Sequence, residues 1–488
     1  MKDMEPRCIG EILLHQAERS PDRIAVTFGE EKCTYKQLLS TTAALQLKIE
    51  DRVREGEVVV ICLPNSPAYI HAYFAVTLLG AVIMPLYSGS SEAEIRLACR
   101  TVDAALCITT HEMKSKLRIQ NLSVLSQEDW QAPDEETKPI YRPRLADEVA
   151  LMLQTSGTTG NPKIVQHTHH SLITNVKAHC ESLSLTEKDT VLITLPMPFG
   201  YCNTSQFLSH LYLGGELVIM TGLFLPSSFM KTMQEQDITV VTAVPTMLQA
   251  LSLLKSDYKA LPHLRYICFG GGQVTPNILE SVRKKLPSHV KMVQTYGQTE
   301  AGPRITTRII SGVYEPSNVG QAIRGVEISI RDEEGNRLGV HEPGDIWIHS
   351  PSIMKGYYLN AAETDKVLQN GWLRTGDRGY LDEQNNLWLL GRTKLLIKTG
   401  GKQVHPEEIE RLIMEHFPLE QAIVKGEADP WLGEALVAYI IPRKSDTLVE
   451  ATDILRFCRS KLSAYKVPKR VEIVQTLPRT ATGKIRRD

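Results

Sequence analysis

From about residue 58 to residue 300, short aliphatic and β-branched runs alternate with longer amphipathic stretches, and this alternation constrains the chain more than any other feature. The run at 58–63 reads as a buried strand, Pro64 and Pro67 open a helix that Gly80 closes, and the next strand follows at 81–84. The same unit recurs at 104–109, 149–153, 191–195, 216–220, 239–244, 266–269 and 291–295. A helix between two strands has to cross back over the sheet, which makes neighbouring strands parallel and covers both faces. The expected fold class is therefore α/β. Beyond about residue 316 the runs shorten and become punctuated by glycine, at 327–331, 345–349 and 387–390, which is the texture of an antiparallel or barrel-like subdomain. Helical alternation returns near the end, and the boundary is placed at Gly391-Arg392: a large domain over 1–391 and a small α+β domain over 392–488.

Length alone favours this division, because 488 residues exceed a comfortable single core. With 55 Lys plus Arg against 56 Asp plus Glu, nothing in the charge balance suits nucleic acid or an anionic membrane. The nine cysteines are odd in number and never form a C-x-x-C pair, the usage of reduced thiols in a cytosolic protein without a zinc site. Neither a secretory h-region nor a run of apolar residues long enough to span a bilayer is evident, so a cytoplasmic protein is expected.

Four segments carry chemistry. Thr155-Ser156-Gly157-Thr158-Thr159-Gly160-Asn161-Pro162-Lys163 follows directly on a strand. Its hydroxyls, glycines and lysine suit a cradle for phosphate oxygens, although the glycine spacing is not that of a Walker A loop. Tyr296-Gly297-Gln298-Thr299-Glu300 and Gly270-Gly271-Gly272 also follow strands, so all three turns are expected to open on one crevice. There Glu300 offers a hard oxygen to Mg²⁺ and Tyr296 an aromatic face to a purine. Thr375-Gly376-Asp377 with Gly391-Arg392 suits either a ribose diol or a structural ion pair. Lastly, the tail Leu477-Pro478-Arg479-Thr480-Ala481-Thr482-Gly483-Lys484 presents one lysine on a glycine-bearing loop.

In this order, over residues 10–488, these segments resemble the acyl-adenylate-forming superfamily of acyl- and aryl-CoA ligases, nonribosomal peptide synthetase adenylation domains and luciferases. Gly371-Trp372-Leu373-Arg374-Thr375-Gly376-Asp377 and Gly400-Gly401 with Pro406-Glu407-Glu408-Ile409-Glu410 strengthen the likeness. The resemblance implies activation of a carboxylic acid by ATP to an acyl-adenylate, with release of pyrophosphate and transfer of the acyl group to the thiol of CoA. It implies that Thr155, Ser156, Gly157, Thr158, Thr159 and Lys163 embrace the ATP phosphates, and that Gly271, Gly272 and Tyr296 hold adenine. It further implies that Thr299 touches the α-phosphate, Glu300 ligates Mg²⁺, and Asp377 and Arg392 bind the ribose. Lys484 would stabilise charge as the acid attacks. Lys394 would be a hinge that swings the mobile small domain, so that the face at 398–402 replaces Lys484 for the thiol step.

Departures from the family pattern bear on the acid. The stretch Leu195-Pro196-Met197-Pro198-Phe199-Gly200-Tyr201-Cys202-Asn203 lacks the histidine that many CoA ligases carry there, so Phe199, Tyr201 and Asn203 become the candidate acid-pocket residues. Gly200 stands where amino-acid-activating relatives usually place an aspartate, and an unpaired ammonium in an apolar pocket costs on the order of several kcal/mol. An aryl or fatty acid is expected. The acceptor thiol is expected in trans, on CoA or on the phosphopantetheine of a separate carrier protein; a nucleotide-binding regulatory pseudoenzyme is the reading from another class. His167, His169 and His170 lack helical metal-ligand spacing. The basic stretch 466–470 suits a CoA phosphate or a solvated surface.

Overall fold

The computed structural model describes residues 5–117, 119, 122–130, 133, 137–155, 163–222, 224–255, 260–392, 395, 397–399, 402–404, 406–430, 432–443, 449–462 and 464–477. Parallel strands alternate with helices as expected, and they divide between two sheets. The strands Ser123–Ser126, Leu106–Thr109, Val58–Cys62, Val82–Pro85 and Val149–Gln154 run parallel in a seven-stranded sheet. Past Val149–Gln154 the pairing reverses, because Ile164–Thr168 returns antiparallel from the hydroxyl-rich loop and Gly356–Tyr357 pairs outside it. A fourteen-stranded sheet holds Ile24–Phe28, Glu216–Ile219, Thr190–Ile193, Val240–Ala243, Tyr266–Phe269 and Lys291–Gly297 in parallel.

Helix Pro67–Leu78 explains how two sheets arise from one repeating pattern. Ser66 caps it, accepting from the Tyr69 amide at 3.4 Å, and Pro67 occupies its first turn, where no amide donor is required. From Tyr69 to Leu78 each residue is buried, so the helix lacks a polar face. A helix that is apolar all round needs cover on all sides. It sits in one core cluster with Val59 and Ile61 of the smaller sheet and Val191 and Ile193 of the larger.

The glycine-punctuated region forms the antiparallel strands Arg304–Ile309, Asn318–Ala322, Leu387–Arg392, Trp372–Leu381, Gly344–His349 and Glu327–Arg331, which continue the larger sheet beyond Lys291–Gly297. A five-stranded sheet follows, built from Ile397–Thr399, Lys402–Val404, Leu419–Asp429, Gly433–Pro442 and Arg470–Ile473, with helices Pro406–His416 and Ala451–Lys461. It has its own core around Ile409, Ile413, Val424, Ala438 and Ile454. Arg411 reaches from this unit to the Ser317 hydroxyl. All nine cysteines are free, and among the described residues no helix is long and apolar enough to cross a membrane.

Candidate active site at the strand ends

Strand Lys291–Gly297 delivers Tyr296 to the cleft and then turns sharply. At Gly297 any Cβ would lie 1.9 Å from the Pro303 carbonyl oxygen, so only glycine permits the turn. The Tyr296 hydroxyl donates to Asp377 Oδ2 at 2.6 Å, and Arg392 Nε lies 3.0 Å from Asp377 Oδ1. Asp377 and Arg392 face each other directly across the antiparallel strands Trp372–Leu381 and Leu387–Arg392, which sets their pairing by register. Burial, reinforced by the Asp377 carboxylate, pushes the Tyr296 hydroxyl well above its usual range, so it stays a donor. The Asp377 charge also holds Arg392 more firmly in its charged form. Arg392 is the last residue of its strand, and the five-stranded sheet begins beyond it at Ile397.

Adenine-side candidates lie beside this network. Gly271 has a φ of +77°, and Gly271 and Gly272 are both exposed at the end of strand Tyr266–Phe269. Gly270 is buried beneath them, where a Cβ would meet Thr295 Oγ1 at 2.5 Å.

The phosphate-side candidates come from the smaller sheet. The Thr155 amide donates to the Lys163 carbonyl at 2.9 Å, which joins the two ends of the hydroxyl-rich loop. Lys163 Nζ lies 4.7 Å from the centre of the Tyr357 ring and pairs with Glu363. That lysine holds the Glu363 carboxyl down to about 2. Tyr357 in turn donates its hydroxyl to Glu300 Oε1 at 2.9 Å. His167, one strand position inside the same hairpin, bonds through Nε2 to the Thr299 carbonyl oxygen at 2.7 Å. A carbonyl only accepts, so Nε2 carries the proton. Burial lowers the His167 pKa to about 4, which keeps the ring neutral near pH 7. His167 and Tyr357 thus tie the Thr299-Glu300 turn of one sheet to strands Ile164–Thr168 and Gly356–Tyr357 of the other.

The acid-side candidates occupy an irregular helical stretch. Phe199 stacks on Tyr87 with centroids 5.8 Å apart. The Tyr201 and Thr295 hydroxyls lie 2.8 Å apart. Asn203 is fully buried at the start of a π-helical turn, Asn203–Leu208, and its Oδ1 accepts from the Tyr73 hydroxyl at 3.3 Å. A Cβ at Gly200 would sit 3.3 Å from a Leu153 methyl carbon, so the surroundings of that position are apolar.

Ser156, Gly157, Thr158, Thr159, Lys394 and Lys484 lie outside the described residues. His167, Tyr357 and Glu363 had no part in the sequence reading as site residues. For His167 the only signal was its place three residues into the strand that returns from the loop, Ile164–Thr168. The basic stretch 466–470 is engaged in ion pairs, Lys466 with Glu408, Lys469 with Asp429 and Arg470 with Glu427. Among the described residues no group of three or more His, Cys, Asp or Glu side chains is arranged to hold a metal. A single carboxylate at Glu300 fits an ion that arrives on nucleotide phosphates and keeps most of its other ligands as water and phosphate oxygen.

Residues 13–358 match the AMP-binding enzyme family, and residues 408–484 match the AMP-binding enzyme C-terminal domain. The chain is 31% identical to oxalate–CoA ligase of Arabidopsis thaliana, over 99% of this chain and 98% of that protein. The fold superposes with a TM-score of 0.88 on the o-succinylbenzoate coenzyme A synthetase of Bacillus subtilis in complex with ATP and magnesium ion, at 28% identity and 98% coverage of each chain. The same Bacillus subtilis enzyme in complex with its acyl-adenylate intermediate gives a TM-score of 0.86 at 28% identity, covering 98% of this chain and 96% of that one. Sequence, fold and the convergence of these strand ends agree, and the chain belongs to the AMP-binding enzyme family.

Proposed function

We propose that the chain is an AMP-forming acid–thiol ligase that converts an aryl or fatty carboxylic acid to its CoA thioester. The observation that carries this reading is the meeting of two preassembled groups from two sheets, Tyr296-Asp377-Arg392 and Lys163-Tyr357-Glu300. The first presents a carboxylate and a guanidinium to a ribose diol; the second presents a cation and a carboxylate to phosphates and their counter-ion. Magnesium, when bound with ATP, neutralises phosphate charge next to Glu300.

In the first half-reaction a carboxylate oxygen of the acid attacks the α-phosphorus, the bond to the bridging oxygen breaks, and pyrophosphate leaves. Lys163 and the loop 155–163 hold the phosphates in line, Thr299 touches the α-phosphate, and Lys484 offsets the charge that grows between acid and phosphorus. In the second half-reaction the thiol sulfur attacks the acyl carbon, AMP departs with the electron pair, and the thiol proton passes to solvent. The unit 392–488 turns about Lys394 between the two, withdrawing Lys484 and bringing up the face at 398–402. Aligned relatives named for CoA support that thiol as acceptor.

The test is acid-dependent pyrophosphate release over a panel of carboxylic acids, with CoA, with a phosphopantetheinylated carrier protein, and with neither. Release that needs an acid, followed by thioester on CoA, is the expected result. Thioester on the carrier alone would replace the acceptor. Nucleotide binding without acid-dependent release for any member would turn the reading to a regulatory binder.

A further inference from the structure

Beside the acid-side stretch the interior holds a cation without a counter-charge. Arg304 is only 3% exposed, and its Nε and Nη2 are buried without a hydrogen-bond partner. Among the described residues no carboxylate forms an ion pair with it. Its backbone is pinned by Asn175, whose Oδ1 accepts from the Arg304 amide at 3.1 Å and whose Nδ2 donates to the Arg304 carbonyl at 2.9 Å. The guanidinium therefore stands where it does by construction, 5.3 Å from the centre of the Tyr201 ring.

Its neighbourhood is short of partners in the same way. Asn203 Nδ2 is buried without a hydrogen-bond partner, while its amide oxygen accepts from Tyr73. The Thr204 and Ser205 hydroxyls on the same π-helical turn are orphaned too, as is Nδ1 of His179. Burial, followed by the nearby Arg304 charge, keeps His179 far below its ordinary pKa, so a second cation does not form there. Turns of π-helix concentrate at functional sites, and a buried guanidinium that lacks a partner is among the most costly features a core can carry. The guanidinium at the Tyr201 ring keeps two N–H-bearing nitrogens without an acceptor, which is the complement of an anion.

We propose that Arg304 is a specificity-determining residue: it receives a second carboxylate, at the distal end of the acid whose first carboxylate is adenylated, so that the substrate is a dicarboxylic acid with an aryl or aliphatic body. This rests on the ligase reading above. Tyr201, whose ring lies 5.3 Å from the guanidinium, forms the wall beside it. Gly200, flanked by Leu153 and by Pro303, leaves the apolar span between the two ends. The guanidinium is the right group for the task, since its planar fork matches a carboxylate with two parallel hydrogen bonds.

The experiment compares matched acids: hexanoate with adipate, octanoate with suberate, and benzoate with phthalate. For each, kcat/KM for thioester formation is measured with the wild-type chain, Arg304→Met and Arg304→Lys. In at least one pair the wild type is expected to favour the diacid on the order of 10²-fold, as sites built for a polar partner do. Arg304→Met should bring that ratio to within a few-fold of unity, and Arg304→Lys should keep part of it. A wild-type preference for the monoacid in each pair, unchanged by Arg304→Met, overturns the proposal. Calorimetric binding of the same pairs in the presence of AMP separates the two readings. If no acid yields pyrophosphate or thioester, yet adipate, suberate or phthalate binds to wild type and not to Arg304→Met, the ligase reading falls and the anion site stands. Equal binding within every pair means that internal water satisfies the guanidinium, and the site falls.

Discussion

Asp377 and Arg304 are both buried charges in the same sheet, on strands that Leu387–Arg392 and Asn318–Ala322 separate, with exposures of 7% and 3%. Asp377 is satisfied by the protein itself, through Tyr296 at 2.6 Å and Arg392 at 3.0 Å. Arg304 has two buried nitrogens with no partner. On the proposed nucleotide side the protein supplies its own partners, so that geometry is set independently of which acid is used. The acid side has been left incomplete, and the free energy that the missing partner would contribute is available for selecting a substrate.

The largest effect expected is one that leaves both sides untouched. Lys484→Ala should lower adenylate formation by about 10²–10³-fold, the range seen when one transition-state electrostatic partner is lost. Affinity for ATP and for the acid should change little, and thioester formation from preformed acyl-adenylate should stay near wild type. Paired single-turnover assays decide it; equal loss in both half-reactions would mean that Lys484 serves structure rather than the first step.

Next in size is a change aimed at the comparison itself. Asp377→Ala leaves the Tyr296 hydroxyl and Arg392 without their acceptor, and because Arg392 is about half exposed the expected cost is ~1–3 kcal/mol, below that of breaking a fully buried pair. Arg304→Met gives up the contact with the Tyr201 ring but also removes a buried charge with two unpartnered nitrogens, and should be near neutral or stabilising. Opposite signs in urea unfolding would sustain the contrast between the two sides. Equal destabilisation by both would show that Arg304 is a structural residue.

A third test uses pH. His167 has its pKa lowered to about 4 by burial, against about 6.5 for an unfolded histidine. Between those values the unfolded chain binds a proton that the folded chain refuses, so stability is full above about pH 6.5 and is lost as pH falls toward 4. The slope from one such residue is about 1.4 kcal/mol per pH unit. His71, His169 and His210, also lowered to about 4, add to it. Urea unfolding at pH 7, 6 and 5 should show His167→Asn to be less acid-sensitive than wild type by about one histidine's share. An unchanged slope would mean that His167 accepts its proton without opening the link to Thr299.

The contrast also separates what local pattern reveals from what it hides. Strand ends, glycine turns and the motif Tyr296 to Glu300 were legible, because each depends on residues a few positions apart: Gly297 is required by Pro303, and Asp377 meets Arg392 through the register of one hairpin. More than one parallel sheet was expected, but the assignment of strands to each was not legible, since alternation reports parallel pairing and says nothing of which strands pair. Only the all-round burial of helix Pro67–Leu78 betrays where they divide. Arg304 lies four residues past the recognised motif, but Arg304-Ile305-Thr306-Thr307-Arg308 reads as an ordinary strand with polar ends. Its burial comes from helix His169–Ser182, which is distant in sequence and packs over it through Asn175.

Glu363 gives the smallest effect and the finest test of whether the nucleotide side is truly preassembled. Lys163 and Glu363 are 200 residues apart in sequence, and Glu363 is held at its place by the first turn of helix Ala361–Val367, where its amide is capped by Asn360 Oδ1 at 3.2 Å. Glu363 pairs with Lys163, the cation proposed to hold the phosphates, and Lys366 competes for the same carboxylate. Pairs within reach of solvent contribute little, so stability should fall only slightly in Glu363→Gln. The larger consequence is for binding: with its competitor gone, Lys163 is free to meet the phosphates, and ATP should bind tighter by up to about fivefold. Raising the salt concentration should shrink the difference between variant and wild type, since both charges are within reach of solvent. Weaker ATP binding in Glu363→Gln would reverse the assignment: Glu363 would then hold Lys163 in the orientation the phosphates require, and the nucleotide side would be preassembled down to its last charge.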